Sequence, residues 1–427
     1  TINMEDNMEK IIVRGGRKLQ GEVDISIAKN SVLPIIVATI LNPTEIILKK
    51  VPMLEDVTVL INLLRELNCE VQFSSITGDL KINTLNLKEV DPNSELIRKM
   101  RASFLVMGPM LARFGRCKIS MPGGCNIGSR PVDLHLKGFK SLGIESEIGY
   151  GYVEAKVDKL HGNRIYLDFP SVGATENIMM AAILAPGITV IENAAEEPEI
   201  WDLARFLNSM GAKIEGAGYG KITIHGVSQL KQPEPFTPIF DRIEAGTFMV
   251  AAGITNSKIT INGVNEEHLM PTIEKLKECG VYCSIDGQKM IVDGTQEKKP
   301  VDIKTMPYPG FPTDMQAQIM ALLSITRGVS VITETVFENR FMHVGELGRM
   351  GANIKIDGRI AIVEGVSTLT GCEVKATDLR AGAAMILAGL VANGETEIGE
   401  VYHIDRGYTN IEEKFKKLGA EIYRIHK

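Results

Sequence analysis

Apolar positions along the chain repeat as one fragment: the end of an amphipathic helix, a small residue, and then a strand. The first copy runs from Leu63 to Val71 and the last from Phe415 to Ala420. Successive copies lie 68 to 75 residues apart. Glycine and asparagine commonly end a helix in the left-handed conformation. The pattern therefore predicts six such helix ends, at Asn68, Gly143, Gly211, Gly280, Gly351 and Gly419.

A second helix precedes each copy and is apolar over most of its surface. Met179 to Leu184 and Ala383 to Ala388 are examples. A helix that has no polar face is usually buried. We predict buried helices that begin near Lys29, Arg101, Thr175, Glu244, Asp314 and Arg380.

A short β-branched strand follows each buried helix, as in Ile188 to Ile191 and Val329 to Ile332. The repeated unit is a buried helix, a strand, a loop, a surface helix and one or two further strands. A chain of 427 residues suits two or three domains. Six units suit two α/β domains of three units each, and the prolines at 233, 235 and 238 mark their junction. The pattern does not assign residues 1–28 to either domain.

Equivalent buried helices within one domain should run roughly parallel, so that their N-termini point to the same end. Helix N-termini attract anions through free N–H groups and the positive end of the helix dipole. Lys29, Arg101, Arg242 and Arg380 lie at or beside these starts. An anionic ligand explains these cations best, whereas solvated caps and surface salt bridges are the alternative.

Charge and cysteine content exclude several classes of protein. The net charge of −6 argues against a general nucleic-acid binder, which would be basic. The six cysteines include no C-x₂-C pair, and the histidines show no ligand spacing, so we expect no metal site. No apolar run reaches the roughly 18 residues that span a bilayer, and the first residues do not resemble a signal peptide. A cytoplasmic protein with reduced thiols is the simplest interpretation.

A loop from Ser120 to Asp133 interrupts the second unit. Its three glycines and two prolines disfavour helix and strand and allow hinge movement. Cys125 lies in this loop and Arg130 is close, so a lowered thiol pKa and a role as nucleophile or acid are expected. The alternative, a small buried apolar residue, fits Cys69, Cys117, Cys279, Cys283 and Cys372 better.

The segment from Pro122 to Asp133 resembles the reactive loop of the UDP-N-acetylglucosamine enolpyruvyl transferases. The resemblance runs from about Glu9 to the C-terminus, and these further blocks carry it: Ala28–Asn30, Met100–Ser103, Ser171–Thr175, Asp241–Glu244, Pro312–Gln318, Glu334–Phe341 and Tyr402–Tyr408. It implies two inside-out α/β domains, each of three βαβαββ-type repeats. Residues 29–238 would form one domain, with a mobile catalytic loop at 121–131, and residues 1–28 would join 239–427 in the other.

The same resemblance implies the activity. The family transfers the enolpyruvyl group of phosphoenolpyruvate to the 3-hydroxyl of UDP-N-acetylglucosamine, through a tetrahedral intermediate and with loss of phosphate. This is the first committed step of bacterial peptidoglycan synthesis. It needs no cofactor, and the expected partners are the two small substrates rather than nucleic acid or membrane.

Motif matches assign roles to particular residues. Asp314 resembles the base that removes the hydroxyl proton, and Cys125 resembles the acid at the phosphoenolpyruvate methylene. Lys29, Arg130 and Arg406 would neutralise phosphoenolpyruvate, and two more arginines would add to this positive site, Arg340 and Arg380.

The nucleotide sugar would follow residues that are shared with the family: Asn30, Arg101, Arg130, Pro131, Val132, Asp133, Leu134, Ser171, Val172, Gly173, Asp314 and Val336. The Ser171 to Gly173 backbone at a helix start suits a diphosphate. Phe169 departs from the pattern, because many family members have a lysine there. One contact to the diphosphate is therefore in doubt.

Two alternatives stay open at this point. The shikimate-pathway enolpyruvyl transferases share the fold, although they lack the Pro-Gly-Gly-Cys loop and use a small acceptor. A weakly active regulatory paralogue is the other alternative, and the full set of catalytic residues speaks against it. The sequence does not indicate the oligomeric state.

The loop assignment predicts a covalent adduct. Fosfomycin, the epoxide inhibitor of the family, should alkylate Cys125 when UDP-N-acetylglucosamine is present, because the loop thiol is the reactive one. Intact mass should increase by one inhibitor molecule, and peptide mapping should place it on Cys125. An unmodified mass, or an adduct on another cysteine, would contradict the assignment.

Overall fold

A computed structural model describes residues 9–88, 101–121, 132–149 and 151–426, and for residues 101–103 it describes the backbone alone. The chain forms two units. The first unit contains the described residues between Ile27 and Ile239, and the second contains those up to Ser26 and from Phe240 onward. The boundaries expected from the sequence, after residues 28 and 238, lie within two residues of these. Each unit has its own hydrophobic core.

Within the described ranges the chain forms thirteen α-helices: α1 Lys29–Ala38, α2 Glu55–Glu66, α3 Met107–Phe114, α4 Asp133–Ser141, α5 Val172–Ala182, α6 Pro198–Ser209, α7 Arg242–Ile254, α8 Met270–Glu278, α9 Gln316–Leu323, α10 His343–Arg349, α11 Leu379–Gly389, α12 Tyr402–Asp405 and α13 Ile411–Lys417. Short 3₁₀ helices cover Thr39–Leu41, Arg101–Val106, Glu266–His268 and Thr313–Met315. In this part of the chain, no helix is long and apolar enough to cross a membrane.

The strands of the described residues are β1 Lys10–Arg14, β2 Glu22–Asp24, β3 Glu45–Leu48, β4 Glu70–Phe73, β5 Leu80–Asn83, β6 Arg116–Ser120, β7 Glu145–Gly149, β8 Tyr152–Lys156, β9 Arg164–Tyr166, β10 Ile188–Glu192, β11 Lys213–Glu215, β12 Lys221–His225, β13 Lys258–Asn262, β14 Tyr282–Asp286, β15 Lys289–Asp293, β16 Ile303–Lys304, β17 Val329–Thr333, β18 Asn353–Asp357, β19 Ile360–Glu364, β20 Glu373–Lys375, β21 Glu395–Gly399 and β22 Glu421–Ile425.

These strands form three sheets in each unit. The first unit contains β3-β5-β4, β6-β8-β7 and β11-β12-β10-β9, and the second contains β14-β15-β13-β2, β16-β17-β19-β18 and β20-β21-β1-β22. In the four-stranded sheets one outer strand pairs parallel to its neighbour, as β9 does with β10. The expected α/β class, with helices inside and sheets outside, is confirmed.

The N-terminal strands complete two sheets of the second unit. Strand β2 pairs parallel with β13. Strand β1 lies between β21 and β22 and is antiparallel to both, with Ile12 opposite Glu397 and Tyr423. It occupies the place that the last strand of the repeat occupies in the other four-stranded sheets. The sixth repeat is therefore assembled from both ends of the chain.

The predicted buried helices are confirmed, with three differences at their starts. All residues of α7 and α9 are buried, as are nearly all of α1, α5 and α11. Helix α5 begins at Val172 rather than near Thr175, because the hydroxyl of Ser171 accepts a hydrogen bond from the N–H of Ala174 and caps the helix there. The helices predicted from Arg101 and Asp314 begin as 3₁₀ turns before α3 and α9.

The predicted left-handed helix ends are also confirmed. All six residues have positive φ: 66° at Asn68, 89° at Gly143, 93° at Gly211, 95° at Gly280, 97° at Gly351 and 94° at Gly419. Only residues that tolerate this conformation can occupy these positions, which is why the glycine and asparagine pattern is visible in the sequence.

Buried helices α3 and α5 approach each other closely at Gly108. The N–H of Gly108 donates to Asn177 Oδ1 at 2.6 Å, and a Cβ atom on Gly108 would clash with the Asn177 carbonyl oxygen. Helix α10 contains a contrasting glycine, Gly345, which is exposed and where an added Cβ atom would meet nothing within 4 Å.

These two glycines should respond oppositely to alanine. Gly108→Ala should lower the free energy of unfolding by about 1–3 kcal/mol, because the methyl group forces the helices apart. Gly345→Ala should raise it by about 0.5–1 kcal/mol, because alanine favours the helix and meets no neighbour. Urea unfolding of the two variants and the wild type measures both changes. Equal changes in the free energy of unfolding would contradict the close approach of α3 and α5 at Gly108.

Candidate active site

Asp314 is the centre of a charged cluster in the second unit. It lies in the 3₁₀ turn before α9, and its side chain retains 24% exposure. Arg340 Nη2 lies 2.8 Å from Asp314 Oδ1. Arg380, in the first turn of α11, approaches Asp314 Oδ2 with Nη2 at 3.1 Å and Nε at 3.3 Å. Three residues that the sequence singled out are thus brought together.

The charges of this cluster are largely buried and therefore interact strongly. Both guanidinium groups are nearly inaccessible to solvent, at 5% exposure for Arg340 and 3% for Arg380. Burial alone would raise the pKa of the Asp314 carboxyl, but Arg380 and Arg340 outweigh burial and hold that pKa well below its usual range. Asp314 is therefore ionised at any ordinary pH.

Glu334 fixes the loop that leads to Arg340. Its carboxylate is buried and accepts hydrogen bonds from the hydroxyl of Thr313 at 2.9 Å and from the N–H of Val336 at 2.9 Å. Arg340 Nη1 donates in turn to Thr313 Oγ1 at 3.1 Å. This carboxylate joins the Asp314 turn to the Val336 loop, a role that was not predicted from the sequence.

Tyr408 fixes Arg380 from the other side. The guanidinium lies over the Tyr408 ring, with 5.3 Å from Cζ to the ring centre. The Tyr408 hydroxyl lies 2.9 Å from Thr247 Oγ1 of α7, and Gln318 of α9 donates to the Asp314 carbonyl oxygen at 2.8 Å. Buried side chains thereby connect α7 with the first turns of α9 and α11. Nη1 of Arg380 has no hydrogen-bond partner among the described residues.

Arg406 directly follows the short helix α12 and is half-buried. Its neighbour Asp405 pairs with Arg424 of β22, at 2.7 Å between Oδ1 and Nη2. His403 lies on the same helix, and its pKa is lowered by burial and by the charge of Arg406, although Glu400 opposes the change. His403 is thus neutral near pH 7.

Lys29 begins α1 in the first unit and is buried. Its Nζ lies 2.5 Å from Asp56 Oδ2, on α2. The start of α1 is held by the buried Asp202, which accepts hydrogen bonds from the Ser31 hydroxyl and from the N–H of Ile239, the latter at 2.9 Å. Asn30 is exposed. No local signal in the sequence pointed to Asp56, because its partner lies on another helix.

The starts of α4 and α5 lie side by side in the first unit. His135 of α4 packs against Gly173 of α5, where a Cβ atom would lie 3.4 Å from the ring. The ring nitrogen Nδ1 of His135 lies 3.1 Å from Asn177 Nδ2. Val132 is buried, Asp133 is exposed and Leu134 is half-buried. The Ser171 to Gly173 turn and residues 132–134 are therefore brought together.

Some predicted site residues lie outside the described residues. These are Cys125, Arg130 and Pro131, together with the side chain of Arg101. The two groups of described candidates belong to different units: Lys29, Asn30, Val132, Asp133, Leu134, Ser171, Val172 and Gly173 to the first, and Asp314, Val336, Arg340, Arg380 and Arg406 to the second.

The five described cysteines are free thiols. Burial raises the pKa to about 12 for Cys69 and Cys117 and to about 11 for Cys279. Burial likewise raises the pKa of Cys283 to about 12. Such thiols stay protonated and unreactive, in agreement with their interpretation as apolar packing residues.

The arrangement can bind anions and move a proton. In the second unit Arg340, Arg380 and Arg406 supply three cations and Asp314 supplies an ionised carboxylate. In the first unit Lys29 supplies one further cation. Two of the arginines are already oriented by Asp314, so an anion that enters meets groups fixed in place. Asp314 is ionised and has no proton to donate. A reaction that protonates a carbon atom would therefore need a different residue as its acid.

The comparisons with known proteins agree on one family. The family model described as EPSP synthase (3-phosphoshikimate 1-carboxyvinyltransferase) matches residues 13–415. The UDP-N-acetylglucosamine 1-carboxyvinyltransferase 2 of Clostridium tetani is 65% identical over 418 residues, which are 98% of this chain and 100% of that protein. The UDP-N-acetylglucosamine 1-carboxyvinyltransferase 1 of Clostridium acetobutylicum is 63% identical over the same shares of the two chains.

Solved structures agree on the fold. The enolpyruvyl transferase NikO from Streptomyces tendae superimposes with a TM-score of 0.88 at 23% identity and covers 99% of this chain and 100% of its own. The EPSP synthase from Acinetobacter baumannii gives a TM-score of 0.73 at 18% identity and covers 98% and 100%. At these identities the likeness concerns the fold alone.

The charge cluster predicts a pH-dependent contribution to stability. Asp314→Asn should lower the free energy of unfolding by on the order of 3 kcal/mol near pH 7, because it leaves two buried guanidinium groups without a carboxylate. The folded-state pKa of Asp314 is lowered, so its stabilisation is complete above its unfolded pKa of about 4 and declines as the pH falls below that value. Urea unfolding between pH 7 and pH 2.5 should show the difference between wild type and variant shrinking. A difference that grows on acidification would contradict this account.

Proposed function

Because the chain belongs to the family of UDP-N-acetylglucosamine 1-carboxyvinyltransferases, we propose that it transfers the enolpyruvyl group of phosphoenolpyruvate to the 3-hydroxyl of UDP-N-acetylglucosamine and releases phosphate. One observation carries the proposal: the identity of 65% to a protein of that name over 98% of this chain. The reaction is the first committed step of peptidoglycan synthesis.

The shikimate alternative has less support. The family model carries the name of the shikimate enzyme, but it describes a fold that both reactions share. Four relatives at 60–65% identity all bear the UDP-N-acetylglucosamine name. The EPSP synthase structure shares only 18% of its residues with this chain. The Pro122 to Cys125 motif also points away from the shikimate enzymes, which lack it.

The reaction needs a base, an acid and cations. The 3-hydroxyl oxygen attacks C2 of phosphoenolpyruvate and loses its proton, while C3 gains a proton and becomes a methyl group. Elimination then removes a proton from C3 and expels phosphate from C2, which restores the double bond. Acid–base steps of this kind are typically worth about 10²–10⁴-fold each.

We assign to Asp314 the role of the base that removes the proton of the 3-hydroxyl group. Held by two arginines, this carboxylate is a weak base, since its pKa is well below the usual range. An anionic substrate would share Arg340 and Arg380 and so weaken their hold on Asp314. The pKa of the carboxyl would then rise towards that of a useful base. In this mechanism the base becomes active only when phosphoenolpyruvate is present.

We assign phosphoenolpyruvate to Lys29, Arg130 and Arg406, with Arg340 and Arg380 close to the carboxylate or phosphate. Lys29 is paired with Asp56, so the substrate anion would replace that carboxylate. Arginine forks suit both anionic groups, since two parallel N–H donors match two oxygens. Nη1 of Arg380, which has no hydrogen-bond partner in the part of the chain that the structure describes, is one donor that such an anion would satisfy.

We assign UDP-N-acetylglucosamine to two turns of the first unit and to Asp314 and Val336 of the second. The diphosphate suits the N-terminus of α5, where the backbone of Ser171 to Gly173 offers N–H groups. The remaining assigned residues are Asn30, Arg101, Arg130, Pro131, Val132, Asp133 and Leu134. Phe169 stands where many family members have a lysine and is 43% exposed, so we assign no diphosphate contact to this position.

Cys125 completes the proposed mechanism as the acid at C3 and as the target of fosfomycin. Asp314 cannot supply that proton, because its carboxyl is ionised. The loop at 121–131 would close over the substrates and exclude water.

We place the reaction in the cytoplasm, with the two small substrates as partners and with neither nucleic acid nor membrane. The free thiols suit a reducing compartment, and both substrates are metabolites of the cell interior. We propose no cofactor, since the addition and the elimination balance with a base, an acid and cations alone.

Phosphate release tests the proposal. The purified chain should release phosphate from phosphoenolpyruvate with UDP-N-acetylglucosamine and not with shikimate 3-phosphate. Asp314→Asn should retain nucleotide-sugar binding by calorimetry but lose at least about 10²-fold in kcat, because the base is gone. Release with shikimate 3-phosphate would support the alternative, and no release with either acceptor would support a regulatory paralogue.

A further inference from the structure

Arg424 of β22 binds three carboxylates at once. Its Nη1 donates to Glu9 Oε2 at 2.8 Å and to Asp405 Oδ2 at 2.8 Å. Its Nη2 donates to Asp405 Oδ1 at 2.7 Å, and its Nε donates to Glu412 Oε1 at 2.8 Å. The side chain is 17% exposed. All three guanidinium nitrogens are used, which is the geometry of a structural clamp rather than of a surface pair.

The clamp holds the segment that carries Arg406. Asp405 is the last residue of α12, and Arg406 follows it directly. Glu412 lies in the first turn of α13 and is 7% exposed. Arg424 therefore ties the end of one helix to the start of the next, with Arg406 in the short connection between them.

The other end of this connection is held by Tyr408, whose hydroxyl contacts Thr247 and whose ring packs on Arg380. Arg406 thus lies between two fixed neighbours, Asp405 and Tyr408. A cation held on both sides is oriented before its ligand arrives, and less entropy is lost when the ligand binds.

Charge gives the clamp a second effect. Asp405 is adjacent to Arg406 in sequence, and both of its carboxylate oxygens are occupied by Arg424. Without Arg424, three carboxylates would face one another with no shared cation. Asp405 would then be available to pair with Arg406 and to compete with an anionic substrate for it.

We propose that Arg424 is a positioning residue for the reaction: it holds Asp405 away from Arg406 and so keeps that arginine oriented for phosphoenolpyruvate. The inference rests on the proposed function. It adds a residue of β22 whose contacts are to Glu9, Asp405 and Glu412 and which is not among the residues assigned to either substrate.

Steady-state kinetics of phosphate release tests the role. Arg424→Gln should raise the KM for phosphoenolpyruvate by about tenfold, the lower end of the factor of about 10 to 100 known for residues that orient metal ligands. The KM for UDP-N-acetylglucosamine should change by less than about twofold. Arg424→Lys should lie between wild type and Arg424→Gln, because lysine keeps the charge and loses the fork. Adding Asp405→Asn to Arg424→Gln should recover part of the lost affinity.

Arg14→Gln is the matched control. Arg14 lies in the same sheet, pairs with Glu395 and Glu421 at 2.8 and 3.0 Å, and is 52% exposed. Its removal should leave both KM values unchanged. The thermal midpoint of unfolding, measured for every variant, distinguishes a loss of folding stability from a loss of positioning. If Arg424→Gln does not fold, Arg424→Lys replaces it in the kinetic test.

The role is overturned if Arg424→Gln leaves the KM for phosphoenolpyruvate unchanged, or if both KM values rise together with a lower thermal midpoint. Failure of the added Asp405→Asn to recover affinity also overturns it. A wild-type chain that releases no phosphate overturns the proposed function as well, whereas an active wild type with a normal Arg424→Gln variant overturns this inference alone.

Discussion

Two buried guanidinium groups that share one carboxylate are the interaction on which the second unit depends. Arg340 and Arg380 are almost inaccessible to water, and such charges are tolerated only when a partner neutralises them. Asp314 is that partner. The surrounding side chains serve the same cluster: Glu334 orders the loop beside Arg340, and Tyr408 supports Arg380. The cluster thus explains why so many polar groups lie together in an otherwise apolar core.

The same principle recurs at Lys29, which is buried against Asp56 in the first unit. In each unit, carboxylates of the chain occupy cations that the proposed substrates would use. A ligand must therefore displace a carboxylate of the protein from each cation. The cations stay neutralised during this exchange, and ligands that carry several negative groups are favoured. Phosphoenolpyruvate and a nucleotide diphosphate both meet this condition. In the proposed mechanism, the same exchange would raise the low pKa of Asp314 and let it act as a base only in the occupied enzyme.

Much of the fold was predictable from the sequence, because its signals are local. Left-handed positions such as Gly211 admit few residue types, and helices such as α7 show no polar face. The predictions of helix starts were less accurate. The apolar pattern suggested a start near Thr175, but the hydroxyl of Ser171 caps the helix three residues earlier. The candidate cations were recognisable by their place in repeated units. The residues that hold the site segments were not recognisable: Asp56 pairs with Lys29 from another helix, Glu334 binds Thr313 beside Asp314, and Arg424 binds Glu9, 415 positions away. No window of sequence contains such a pair.

The first strand of the chain has a consequence for how the molecule is made. Strand β1 lies between β21 and β22, so the sheet of the sixth repeat cannot close until the ribosome has made β22. The first unit draws on one continuous stretch and can fold during synthesis. Strand β1 must wait with its edges unpaired, and unpaired edges are prone to wrong partners. The charged residues at and beside its ends, Glu9, Lys10, Arg14, Arg17 and Lys18, are suited to keeping it soluble through that delay.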